Sequence, residues 1–175
     1  MKIAILGFSG SGKSTMARRL GALYDCPVLH LDTVQFTAGW GERPRDEARA
    51  AVAAFLGQNS SWVIDGNYAS FYRERRLDEA DLILFFSFPR FVCLLQALRR
   101  YLRYRGRTRE DMAEGCTEKM DWEFVRWILW DGRAPARRND MKQALAPYKR
   151  KCIILRTRRQ ANHFLRQARL QNIKK

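Results

Sequence analysis

The segment Gly7-Phe8-Ser9-Gly10-Ser11-Gly12-Lys13-Ser14-Thr15 satisfies GxxxxGK[ST], and no other stretch restricts the fold of this chain so tightly. A loop of this kind works only where a strand delivers it and a helix leaves it. Its glycines let successive backbone N–H groups wrap a phosphate chain, and the helix N-terminus sets partial positive charge beneath the phosphates. Both flanks meet that demand. Ile3 to Leu6 is a short run of β-branched character, and residues 13–22 place Met16, Ala17 and Leu20 on one helical side. In this frame Gly7, Ser9, Gly10, Ser11, Gly12 and Thr15 line the phosphates of ATP. Lys13 reaches the β and γ phosphates, and the Ser14 hydroxyl joins a Mg²⁺ shell.

The rest of the chain continues the alternation. Pro27 to Leu31 reads as a second strand ending at Asp32, followed by a loop through Phe36, Gly39-Trp40-Gly41 and Pro44. Asp46 is placed to cap a helix running to about Leu56, with Ala48, Val52 and Phe55 on one face. Trp62-Val63-Ile64 is a third strand, ending at Asp65-Gly66. Leu82 to Phe86 is a fourth, apolar throughout as a strand covered on both faces should be. Pro89 starts a helix on which Phe91, Leu94, Leu95, Leu98 and Leu102 form one stripe. Asp121 caps another, whose Trp122, Phe124, Val125, Ile128 and Leu129 are expected in the core. Residues 134–146 are expected to be helical, Cys152 to Leu155 forms a fifth strand, and residues 158–170 a terminal helix. This pattern predicts an α/β domain of three layers around a five-stranded parallel sheet, with ligands at the carboxyl ends of the strands. Gly7, Asp32, Asp65 and Ser87 all fall at those ends.

Charge narrows the partners. The chain of 175 residues carries 33 Lys and Arg against 18 Asp and Glu, a net charge of +15. Arg90, Arg99, Arg100, Arg103, Arg105, Arg107 and Arg109 occur with no acidic residue between them, and ten more basic residues fall between Lys149 and Lys175, again without an acid. The remainder is near neutral. Such fields imply an anionic partner, a part that nucleotide phosphate, nucleic acid on the basic segments or a membrane surface could each fill. No apolar run approaches the length of a membrane span, no secretory signal opens the chain, and no membrane partner is expected. The chain reads as soluble and cytoplasmic. Cys26, Cys93, Cys116 and Cys152 show no metal spacing, and His30 and His163 stand alone in sequence, which suits structural roles. Nothing fixes an oligomeric state.

A Mg²⁺ ion bound with nucleotide usually takes a carboxylate from a neighbouring strand end. Asp65 is the first candidate and Asp32 the second, while Asp81 precedes its strand and lies at the wrong end of the sheet.

These residues resemble the P-loop nucleoside and nucleotide kinases, and more narrowly the adenylate-kinase-related DNA topology modulation proteins. The resemblance rests on the glycine loop, Leu31-Asp32, Trp40, Trp62 to Tyr68, Phe88-Pro89-Arg90, Arg105 to Arg109, Asp111-Met112 and Gly115-Cys116. It implies one P-loop kinase-like domain over residues 1–175 with an arginine-rich LID-like insertion at about 104–120 that closes over ATP. Asp65 would then stand near Mg²⁺ and lead toward the acceptor site. Two positions depart from the family pattern: Ser87 replaces a common Asp, and Asn67-Tyr68 replaces a Pro-Arg pair, leaving Arg73 as the next arginine. The chemistry implied is in-line transfer of the ATP γ-phosphoryl group. Lys13, Mg²⁺ and Arg103, Arg107 and Arg109 would neutralise charge, with Arg137 or Arg138 entering from the following helix. A phosphate acceptor would need Arg73, Arg75 or Arg76, whereas a hydroxyl acceptor would benefit from Asp32 as base. Both acceptors, and an ATP-binding regulatory or nucleic-acid-binding role, fit the residues.

Overall fold

The structure, a computed structural model, describes residues 1–109 and 111–173. Glu110, within the expected LID-like insertion, and Lys174 and Lys175, in the basic C-terminal segment, lie outside the described residues. Strand β1 (Lys2–Gly7) leads through the glycine loop into α1 (Lys13–Tyr24) and β2 (Val28–His30). A short helix α2 (Leu31–Gln35) and a hairpin of β3 (Phe36–Thr37) and β4 (Gly41–Glu42) follow. Next come α3 (Arg45–Gln58), β5 (Trp62–Asp65), α4 (Arg73–Glu79) and β6 (Leu82–Phe86). After α5 (Arg90–Tyr104) an irregular segment leads to α6 (Trp122–Leu129), α7 (Pro135–Leu145), β7 (Cys152–Leu155) and α8 (Arg158–Ile173).

Five strands form one parallel sheet in the order β2-β5-β1-β6-β7. The expected fold class is therefore the observed one. Strand β1 sits at the centre, and its side chains alternate between two cores. Ile3 and Ile5 join Met16, Leu20, Leu84, Cys93 and Leu165 on one face. Ala4 and Leu6 join Leu31, Val52, Ile64, Leu77 and Ile83 on the other. All four of these β1 residues are fully buried, at roughly 1.5–3 kcal/mol for each large aliphatic side chain. That burial on both faces fixes the height at which Gly7, Asp65 and Phe86 emerge together.

Several local expectations are corrected. The second strand stops at His30, and Leu31 to Gln35 turn into α2, so Asp32 sits in the first turn of a helix rather than in a loop. Asp46 does not cap α3: Pro44 flanks that helix, which begins at Arg45 and carries Asp46 in its first turn. Asp121 does cap α6, accepting from the Phe124 amide at 2.8 Å, but Trp122 and Trp130 are exposed rather than core. On α5 four members of the apolar stripe, Phe91, Leu95, Leu98 and Leu102, face outward, Leu94 packs against the core, and the fully buried residues are Cys93 and Ala97. Cys26, Cys93 and Cys116 are buried free thiols, and Cys152 is partly covered. Among the described residues no helix is long and apolar enough to cross a membrane.

Candidate active site

The glycine loop has the shape its sequence demands. Gly10 and Gly12 adopt left-handed backbone (φ +75° and +92°), and no side chain caps the first turn of α1, so its N–H groups face an anion's position unclaimed by a cap. A Cβ on Gly10 would lie 2.4 Å from the Cys93 carbonyl oxygen, because α5 runs directly against the loop. Gly10→Ala must therefore shift the loop and hold alanine at positive φ, costing about 2 kcal/mol. The expected result is a lower melting temperature together with at least about tenfold weaker ATP binding by titration calorimetry.

Lys13 is folded back on its own loop, with Nζ donating to the Phe8 carbonyl at 3.1 Å, and Ser11 donates to the same oxygen at 2.6 Å. Burial lowers the Lys13 pKa from its ordinary value, opposed by the nearby charges of Asp65 and Asp32. Ser14 Oγ donates to Asp65 Oδ2 at 2.9 Å, which brings together the two oxygen donors assigned to Mg²⁺. One hydroxyl and one carboxylate suit a small hard cation that takes its other ligands from phosphates and water. Among the described residues no cluster of three or more His, Cys, Asp or Glu could hold a metal without such help.

His30, alone in sequence, stands beside Asp65 in the fold. It pairs in register with Asp65 across β2 and β5, and its Nδ1 contacts Asp65 Oδ1. Burial pulls its pKa down, but the Asp65 hydrogen bond and charge leave it raised overall. Only the strand order, with β2 beside β5, reveals that these two residues end neighbouring strands at one level.

Asp32 lies deep in the same cluster. Its Oδ1 accepts from the Tyr68 hydroxyl at 2.7 Å, and Tyr68 stacks on Phe71. Burial raises the Asp32 pKa, against the Tyr68 hydrogen bond and the charges of Lys13 and Arg109, which lower it. Asn67 ties this loop to the phosphate loop, accepting from the Gly7 amide at 2.9 Å and donating to the Gly7 carbonyl at 2.8 Å. The departure at Asn67-Tyr68 thus supplies a clamp and an orienting hydroxyl.

The arginines divide. Arg109 pairs with Asp111 at 2.7 Å and Glu118 at 2.5 Å, and Arg100 pairs with the same Glu118 at 2.8 Å. Arg100 and Arg109 bear on Lys13 and Asp32 respectively, and Asp111 bears on His30, so this network faces the site. Arg100 was hidden in the sequence by a uniform run of arginines. Arg103 and Arg107 are exposed, Arg103 lying over the Tyr104 ring. The segment is fastened to the β3–β4 hairpin: the Gly39 amide donates to the Gly115 carbonyl, the Trp40 indole to Thr117, and the Cys116 thiol to Thr37.

A cavity of about 730 Å³ opens beside Gly7, Phe8 and Asn67 and contains Arg73, Arg137 and Arg138 in its wall, but not Lys13, Asp32 or Asp65. Arg137 lies over the Trp127 ring, whose indole N–H donates to Ser9 Oγ at 3.0 Å. Arg73 is held in a bidentate pair with Asp140 at 2.6 and 2.8 Å, Arg75 pairs with Glu79, and Arg76 is fully buried against backbone carbonyls. All three arginines available for a phosphate acceptor thus have partners already.

No protein-family model matches the chain, and no curated protein matches it significantly. Solved structures share its fold. Shikimate kinase from Bacteroides thetaiotaomicron is 18% identical over 99% of this chain and 97% of that one, with a TM-score of 0.51. Shikimate kinase from Acinetobacter baumannii in complex with shikimate is 16% identical over 98% and 92%, with a TM-score of 0.53. A gluconokinase from Sinorhizobium meliloti 1021 is 14% identical over 99% and 91%, with a TM-score of 0.51. At these identities the likeness establishes the fold that these structures share with this chain and nothing finer.

Proposed function

We propose that this protein is an ATP-dependent kinase that transfers the γ-phosphoryl group to a hydroxyl of a small acceptor. The observation that carries the reading is Asp32: a partly buried carboxylate in the first turn of α2, just past the end of β2, held by Tyr68, within the electrostatic reach of Lys13 and Asp65. As the acceptor oxygen attacks the γ phosphorus, its proton passes to Asp32 and the bond to the leaving diphosphate breaks. Lys13 and the loop N–H groups bind the phosphates and take up developing charge. Ser14 and Asp65 hold Mg²⁺, which would supply further charge neutralisation between the phosphates when bound. Arg109 from the LID-like segment, Arg100 from α5 and Arg137 from α7 complete the phosphate contacts. A phosphate acceptor is disfavoured because Arg73, Arg75 and Arg76 are engaged elsewhere.

The test is ADP formation with Mg²⁺ and ATP against hydroxyl compounds and nucleoside monophosphates, with Lys13→Ala as control. Stimulation by a hydroxyl acceptor, lost in the variant, supports the reading. Stimulation by nucleoside monophosphates alone overturns the acceptor assignment. ATP binding without any acceptor-dependent turnover favours the regulatory or nucleic-acid-binding role that the +15 charge also suits.

Tyr68→Phe provides a separate check. The Tyr68 hydroxyl stabilises ionised Asp32, so its loss raises the carboxyl pKa further. A base works only when ionised, so the acidic limb of the kcat profile should move to higher pH, with turnover least affected on the alkaline side. An unmoved limb separates Tyr68 from the titration of Asp32.

A further inference from the structure

We infer that the outer face of α5 docks on an anionic lipid surface. Phe91, Leu95, Leu98 and Leu102 are 72%, 47%, 41% and 65% exposed. Their spacing confines them to an arc of about 60° and a length of about 16 Å along the helix. The opposite side holds α5 to the domain through Cys93 and Ala97, so the apolar row is presented outward by a packed helix and is not a frayed end. Single exposed leucines are ordinary, but a continuous row of four large apolar side chains marks a surface that is covered in use.

Charge identifies the cover. Arg90, Arg99 and Arg103 flank the row and are exposed, Arg105 and Arg107 follow it, and residues 90–109 contain no acidic side chain. A second copy packed face to face across a two-fold axis would bring these arginines against one another with no carboxylate on either helix to meet them. Nucleic acid would satisfy the arginines and leave Phe91 and the leucines in water. A bilayer with acidic headgroups satisfies both, because the apolar row enters the acyl boundary while the arginine stems run up to the headgroups. The expectation of no membrane partner rested on the absence of a spanning segment, which a helix lying in the interface does not need.

The experiment is co-sedimentation of the full chain with phosphatidylcholine vesicles with and without phosphatidylglycerol. The anionic vesicles should bind it and the neutral ones should not. The double variant Phe91→Ser/Leu102→Ser keeps every charge and changes only exposed positions, so it should melt like the parent yet bind more than tenfold more weakly. Equal binding by the variant would reduce the effect to the general +15 charge and overturn the proposal. So would indifference of the parent to both vesicles. A concentration-dependent dimer that the double variant abolishes, seen by sedimentation velocity without vesicle binding, would assign the face to a second copy instead.

Discussion

Asp32→Asn lowers kcat with a hydroxyl acceptor by about 10²–10⁴-fold while ATP affinity stays nearly unchanged. The side chain keeps its size, and the amide oxygen still accepts from Tyr68, so the packing of α2 through its own Leu31 and Val34 survives. What disappears is the proton acceptor. Burial raises the carboxyl pKa, which makes Asp32 a stronger proton acceptor in the transition state than a solvated carboxylate. The loss should therefore fall on the chemical step, which single-turnover measurements isolate from ATP binding. Unchanged turnover would remove Asp32 from proton transfer and leave it as a structural partner of Tyr68.

Arg76→Met lowers stability by about 3 kcal/mol and the melting temperature by roughly 10 °C. Arg76 is completely buried and donates to the carbonyls of Phe71 (2.8 Å), Tyr68 (2.7 Å) and, at a longer 3.4 Å, Gly66. Burial lowers its pKa to about 10, so it stays charged at neutral pH. Methionine fills a similar volume but offers no donor, and the carbonyls left behind are sealed from water. The same carbonyls belong to the loop that carries Asn67 and Tyr68. Turnover should fall as well, at temperatures where the variant is still folded by circular dichroism. Full activity in the folded variant would show that the loop holds its shape without this staple.

The parts of the molecule legible in sequence were those in which one local rule had no competitor. The glycine loop reads directly because its chemistry demands those residue types, and β5 and β6 read as strands because both of their faces are covered. The short elements between Leu31 and Glu42 did not, since neither α2 nor the β3–β4 hairpin is long enough to show a period. The stripe on α5 is legible, but not the side of the helix that the domain covers. Periodicity identifies an apolar face but not the neighbour that will cover it. Here the backbone of α5 at Cys93 lies directly against Gly10, Cys93 and Ala97 are the buried residues of the helix, and four large side chains remain outside. His30, Tyr68 and Arg100 entered the site for a related reason: their roles depend on which strands and loops become neighbours, and single-residue chemistry says nothing of that.

The three bonds that fasten residues 115–117 to the hairpin at Thr37, Gly39 and Trp40 join segments nearly eighty residues apart in the chain into one moving part. Trp40 itself holds a left-handed backbone (φ 67°), so the hairpin tip is sprung as well as tied. The loop and the hairpin therefore separate only when all three bonds break together, so a displacement of residues 115–117 carries the hairpin tip with it.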